Sequence, residues 1–404
     1  MIRMNRIIIL CICLFLLSNL GTALPTPEEW KVSARDNFSA MTREEVNQYI
    51  SPLITYNLSK GLIVVLVDKN GYTNFSFGDI RTVSGEDSNN QILFDIGSLS
   101  KVMTGILMAE AEINGVYNLS SPANTWISET VTLPDYEGEE ITGLHLATHY
   151  SGLPSSPDPF SEYDPSASYA DQLEQSMQHF TTMTRDEVYD WVKNTTLLAP
   201  PGYQHLYSNL GAALAGDSVA QAYGKSYPDL VQEHLFDPLQ MTHTGASWTR
   251  DELGQRAKGY RAYEYPMDEA IVIRFNEFWT ATGGIHSSAE DMAIFLAAQL
   301  FLVDTPLSEA IRKSHNPLAL ISEGPPLQEQ AIFWDVLHNR DGTTIIKKAG
   351  ETNAHQAAIA FNPDLQVGVV ILSNTAHIQG IHVEEQAVAL LERMQVKHIQ
   401  DKET

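Results

Sequence analysis

The sequence predicts an α/β fold of the α+β type, in which one antiparallel sheet is built from both ends of the chain and a mainly helical lobe is inserted between them. Three observations predict it. Apolar, β-rich runs at residues 62–67 and 73–77 are matched near the other end by runs at 343–347, 356–361 and 367–372. The turns between these runs are short, and short turns join antiparallel neighbours. Between the two groups, from about residue 98 to 310, the pattern changes to apolar residues at helical spacing.

Residues 1–23 have the layout of an export signal: Arg3 and Arg6 precede an apolar run over 7–17, and the small residues Gly21 and Ala23 follow. Cleavage is expected after Ala23. The run is shorter than the 20 or so residues a spanning helix needs, and no later stretch approaches that length. The product is therefore expected to be secreted or periplasmic, without stable membrane insertion. Both cysteines, Cys11 and Cys13, fall in the signal, which leaves the mature chain no disulfide, thiol nucleophile or Cys-ligated metal. Residues 24–404 are expected to form one domain, with 24–97 and 311–404 as the sheet lobe and 98–310 as the helical lobe.

The remaining elements follow in order. Val46, Ile50, Leu53 and Ile54 recur at helical spacing and predict a helix over 41–58. Asn70-Gly71 is a hairpin signal between the first two strands. A strand over 92–96 runs into a helix over 99–114, closed by Asn114-Gly115. Further helices are expected over 185–193, 209–223, 227–235 and 287–300, the last with Ser287 and Glu290 at capping-box spacing. A closing helix over 383–394 joins the first helix on one face of the sheet. Residues 154–170, rich in Pro, Ser and Asp, read as a long surface loop.

With 25 Lys and Arg against 50 Asp and Glu in 404 residues, the net charge is -25. That balance excludes a protein that works by neutralising nucleic-acid phosphates or an anionic membrane face. G-x-S-x-G, P-loop, H-E-x-x-H and dinucleotide-binding glycine patterns are all missing from the sequence.

Three short elements point to chemistry. The first is Ser98-Leu99-Ser100-Lys101 at the start of an apolar helix. Residues three apart share a helix face, so the Lys101 amine can reach the Ser98 hydroxyl. The helix start adds free backbone N–H groups and a positive dipole end for a developing anion. A lysine acts as the base of a serine nucleophile only when burial or another cation lowers its proton affinity. Ser100 has no Lys three residues on and is set aside. The second element is Tyr207-Ser208-Asn209, where a phenol can pass protons to a leaving group and a carboxamide can hold a substrate carbonyl and the lysine. The third is Lys348-Ala349-Gly350-Glu351, ending a strand. Lys348 supplies the second cation, and Gly350 lets a substrate approach the strand backbone. Tyr72-Thr73-Asn74 and Lys69-Asn70-Gly71 repeat these spacings inside a hairpin and need no site. His145 and His149, four apart, lack a third ligand, so no metal site is expected from them. His205 reads as a loop residue.

The order and contexts of these elements resemble the penicillin-recognising serine hydrolases: class C β-lactamases, low-molecular-mass DD-peptidases and related esterases. The likeness includes the segments 94–101, 144–153, 207–211, 238–241 and 283–291 and extends over about residues 45–395. It implies the β-lactamase/DD-peptidase fold, Ser98 as the acylated nucleophile, Lys101 as its proton acceptor and Tyr207 as the acid/base. It also implies Asn209 and Lys348 as substrate-binding residues, the N–H groups of Ser98 and Glu351 as the oxyanion hole, and no cofactor or metal. The substrate would be a small molecule or peptide: a cell-wall peptide, a β-lactam or an ester. Relatives carry a hydroxyl residue where this chain has Ala349, and Glu351 adds a negative charge beside it. With the export signal, the resemblance implies an exported hydrolase of amides or esters, and both changes predict that it is a weak β-lactamase. The alternative is a catalytically silent exported binding protein of the same fold that engages cell-wall peptide or a protein partner.

Overall fold

The structure, a computed structural model, describes residues 23–35, 38, 41–85, 91–127, 131–157, 175, 177–262, 267–270, 273–376 and 383–403. Residues 1–22 of the expected signal, both cysteines and residues 158–170 of the expected loop lie outside the described residues.

The first two strands are β1 (Gly61–Asp68) and β2 (Gly71–Gly78). After them come β3 (Leu93–Asp95), β4 (Tyr260–Arg261), β5 (Asp268–Glu269) and β6 (His286–Ser288). The C-terminal group is β7 (Ala319–Ser322), β8 (Leu327–Gln330), β9 (Asp335–His338), β10 (Thr344–Glu351), β11 (Gln356–Asn362), β12 (Val367–Ser373) and β13 (Thr375–Ala376). Eight of these form one antiparallel sheet in the order β2-β1-β12-β11-β10-β9-β8-β7. The strands from the two ends of the chain meet at the β1–β12 pair, one strand in from the β2 edge, where Leu62 lies opposite Ser373 and Val67 opposite Gly368.

The continuous apolar run of β1 is explained by burial on both faces. Ile63, Val65 and Val67 enter the core shared with the helical lobe, while Leu62, Val64 and Leu66 face the opposite way. That second face is covered by the helices Arg43–Thr55 and Val383–Glu403 through Val46, Ile50, Leu53, Leu390, Leu391 and Met394. The terminal helices thus share one face, as the sequence predicts.

Several local expectations need correction. The β1–β2 hairpin forms, but its turn is Lys69-Asn70, with Gly71 already paired to Asp68. The Asp68 carboxylate accepts from the N–H groups of Asn70 and Gly71 (2.7 and 3.1 Å), and neither residue has a positive φ. A side-chain cap therefore replaces the backbone turn that Asn-Gly suggested. The expected 92–96 strand is short and pairs with β6 outside the main sheet. The N-cap of the Ala289–Gln299 helix is Ser288, which accepts from Asp291 N–H, one residue later than the predicted Ser287. The helix expected over 227–235 is α-helical only over Tyr227–Val231 and widens to a π turn at Gln232–Phe236. β7, β8 and β9 were not anticipated.

Candidate active site

The predicted nucleophile sits where β3 turns into the Ser100–Ile113 helix through a 3₁₀ turn, Gly97–Leu99. Gly97 has φ +52°, and a Cβ there would lie 2.5 Å from Glu351 N, so only glycine fits this crossing. Ser100, the decoy of the motif, is structural: its hydroxyl donates to Gly97 O (2.7 Å) and accepts from Ile285 N–H (3.2 Å). Lys101 is fully buried, with Nζ 3.0 Å from Ser98 Oγ and 2.6 Å from Thr282 O. Burial, and then the nearby Lys348 charge, hold its amine well below the ordinary lysine range.

Tyr207 reaches the same serine from the segment that precedes the Asn209–Tyr223 helix, and its hydroxyl donates to Ser98 Oγ at 2.8 Å. Its backbone is held on both sides by His149. Leu206 N–H donates to His149 O (2.7 Å) and Ser208 N–H to His149 Nδ1 (3.2 Å), while the His149 and Tyr207 rings pack at 4.5 Å. Ser208 also caps the Asn209–Tyr223 helix through Gly211 N–H (2.8 Å). The Tyr207 ring is 39 % exposed, but its hydroxyl points inward, and that burial pushes the phenol above its ordinary range. The hydrogen bond to Ser98 works in the opposite direction, and the Asp335 charge adds to the rise.

The third element lies along β10. β9 pairs with β10 only as far as Lys347 opposite Asp335, which leaves the Lys348–Glu351 edge facing the nucleophile. Lys348 is buried, with Nζ 3.3 and 3.4 Å from the Asp335 carboxylate oxygens. Gly350 has a reason different from the expected one. A Cβ there would lie 2.0 Å from Ile96 O and 2.7 Å from Ser98 N, so the Ser98 turn itself occupies the space the sequence reading reserves for substrate. Gly350→Ala should push the Ser98 turn away from β10. We expect about a hundredfold lower kcat on an activated ester from a protein that still folds, the cost of a displacement near 1 Å; unchanged kcat would contradict this packing.

Asn209 accepts from the Thr282 hydroxyl (3.2 Å), and Thr282 O accepts from Lys101. Its link to the lysine is therefore indirect. Beneath the site, Arg256 Nε donates to the Asp95 carboxylate (3.2 Å) and Asp95 N–H to His355 Nδ1 (2.9 Å). This buried cluster ties the strand entering Ser98 to the turn that follows Glu351.

Two clefts meet at Ser98 and Glu351. One, of about 420 Å³, is lined by Tyr207, His205, Asp335, Lys347, Lys348 and Glu384, among others. The other, of about 250 Å³, is lined by Asn209, Thr282, Met177, Phe180 and Phe275, among others. All seven predicted residues thus converge on one place. Sequence reasoning missed Asp335, Thr282 and the cleft position of His205, whose Nε2 lies 3.1 Å from Gln330 Oε1. It also left His145 and His149 as a bare pair: His145 Nδ1 accepts from Thr142 N–H and His149 supports Tyr207. His145 closes a capping box with Thr142, three residues before it, whereas the others act through partners distant in sequence that no motif spacing signals.

Comparison with known proteins gives a consistent family. A family profile described as Beta-lactamase matches residues 55–392. Among curated proteins, the D-alanyl-D-alanine-carboxypeptidase/endopeptidase AmpH of Escherichia coli (strain K12) is 26% identical over 247 residues, covering 61% of this chain and 59% of that protein. The chain thus aligns with less than two thirds of that relative. A beta-lactamase of the same organism is 24% identical over 370 residues, covering 81% of this chain and 88% of that one. Among solved structures, a beta-lactamase/D-alanine carboxypeptidase from Yersinia pestis superposes with a TM-score of 0.70 at 22% identity, covering 88% of this chain and 99% of that one. A class C beta-lactamase gives 0.68 at 20% identity, with 88% and 95% covered. The fold is therefore the β-lactamase fold.

Proposed function

The chain belongs to the beta-lactamase family, and from that premise we propose that it is an exported serine hydrolase that cleaves an amide or ester through an acyl-enzyme on Ser98. One observation carries the reading: Ser98 Oγ is bracketed by Lys101 Nζ at 3.0 Å and Tyr207 OH at 2.8 Å. A silent binding pocket has no need of a desolvated lysine against a serine. In this reading residues 1–23 direct export and 24–404 form the catalytic domain.

The directions of the two proton affinities assign roles. Lys101, whose proton affinity burial and then Lys348 lower well below the ordinary lysine range, is the group suited to accept the Ser98 proton as Oγ attacks the carbonyl carbon. Tyr207, whose burial raises its proton affinity, gives its proton to the leaving group and regains one from Lys101, which took it from Ser98 during attack. The Ser98 and Glu351 amides lie together at the crossing of the 3₁₀ turn and β10, and would hold the developing oxyanion. In deacylation, water takes the place of the leaving group and the proton path reverses. Asn209 would hold the acyl side. Because the proton leaves from Tyr207, the leaving group belongs in the cleft that Tyr207 lines and the acyl group in the cleft that Asn209 lines.

The missing hydroxyl at Ala349 and the carboxylate of Glu351 favour substrates less anionic than penicillins, by about 1 to 3 kcal/mol per lost charged hydrogen bond. The test is a side-by-side assay of nitrocefin, a p-nitrophenyl ester and a D-Ala-D-Ala peptide. The expected result is slow nitrocefin turnover with faster ester or peptide cleavage; rapid nitrocefin turnover would refute the weak β-lactamase reading.

A further inference from the structure

Resting on the acyl-enzyme reading above, we infer that Asp335 sets the leaving-group specificity of this site, and that the substrate leaves as a neutral or amine-bearing group, not as a carboxylate. The cleft that Tyr207 lines contains two lysines, and each is already engaged by a carboxylate. Lys348 Nζ lies 3.3 and 3.4 Å from the Asp335 oxygens, and Lys347 Nζ lies 2.8 Å from Glu384 Oε1. With Glu351, the lining among the described residues sets three carboxylates against two ammonium groups. The Lys348 side chain is 5 % exposed and the Asp335 side chain 28 %, so an entering group meets the carboxylate before it meets the cation.

The backbone explains why Asp335 stands there. It is the first residue of β9, and its pairing with Lys347 is the last before β9 leaves the β10 edge. The carboxylate is thus presented where the open edge of β10 begins, against Lys348. A leaving group with its own carboxylate must either displace Asp335 from Lys348 or lie beside Asp335 and Glu351 without a cation, and both cost binding. A neutral group meets no such conflict, and an ammonium group adds a favourable partner.

Three acetate esters that differ only in the phenol test the inference: phenyl, meta-carboxyphenyl and meta-trimethylammoniophenyl acetate. Each kcat/KM is normalised to spontaneous hydrolysis. In each case the bond from Ser98 Oγ to the acetyl carbon forms as the bond to the phenol oxygen breaks, and the phenol departs with a proton. The full-length protein should favour the trimethylammonio ester over the carboxy ester by more than about tenfold. In Asp335→Asn the ratio of carboxy to phenyl ester should rise about ten- to a hundredfold, while the trimethylammonio ratio falls. Glu351→Gln should move both ratios the same way, by less. A preference of the unaltered protein for the carboxy ester, or unchanged ratios in a folded Asp335→Asn protein, would overturn the inference. Equal rates for all esters in the unaltered protein and Ser98→Ala would instead overturn the acyl-enzyme reading, and this inference with it.

Discussion

Lys101→Met should lower acylation by an activated, uncharged ester by about 10⁴-fold, the upper range for loss of a positioned base. Methionine keeps the volume and the unbranched stem, so the fully buried slot between Ser98 and Thr282 stays filled while the lone pair disappears. The pH dependence follows from the same environment. A base must be deprotonated, so kcat/KM falls as pH falls through the folded-state value of Lys101, which lies well below the ordinary lysine range. The Lys348 charge is the second cause of that depression, after burial. Lys348→Met removes it, so the Lys101 value rises and the acidic limb of the profile moves to higher pH. Stopped-flow acylation against pH, with a neutral ester, measures both effects. An unmoved limb in Lys348→Met would show that the titrating base is another group.

Tyr207→Phe should slow turnover by about 10³-fold through loss of the hydroxyl that donates to Ser98 Oγ at 2.8 Å. The ring remains packed on His149 at 4.5 Å, so the backbone held by Leu206 and Ser208 keeps its course. The loss should be larger for leaving groups of high basicity, which need the proton, than for p-nitrophenolate, which does not. Equal losses across a series of leaving groups would remove Tyr207 from the proton path and leave it a packing role.

Much of the sheet was legible because its centre is buried on both sides. The run Leu62 to Val67 and the alternation through β11 and β12 can satisfy two cores at once only as interior strands. β7 and β8 escaped notice because they are short, partly exposed and mixed in polarity, like surface loops. The turn at Lys69-Asn70 was misplaced by one residue because the Asp68 side chain overrode the Asn-Gly preference. In the site, Ser98, Lys101 and Tyr207 were readable because spacing along one helix or one cap fixes them. Gly350 was readable as a necessary glycine but not for its reason, since only the fold shows Ile96 O where its Cβ would lie. Asp335, Thr282 and His149 were not readable at all. Each meets its partner from a different element, 13 to 181 residues away in the sequence, where no spacing pattern survives.

The central claim is that Ser98 becomes covalently acylated because Lys101 and Tyr207 flank it. The most direct measurement is intact and peptide-resolved mass spectrometry of the protein after brief exposure to a fluorophosphonate and, separately, to an activated ester quenched in acid. The account predicts one adduct per chain, mapped to Ser98, absent from Ser98→Ala and slow to form in Lys101→Met. An adduct on another residue, or equal labelling of Ser98→Ala, would contradict it.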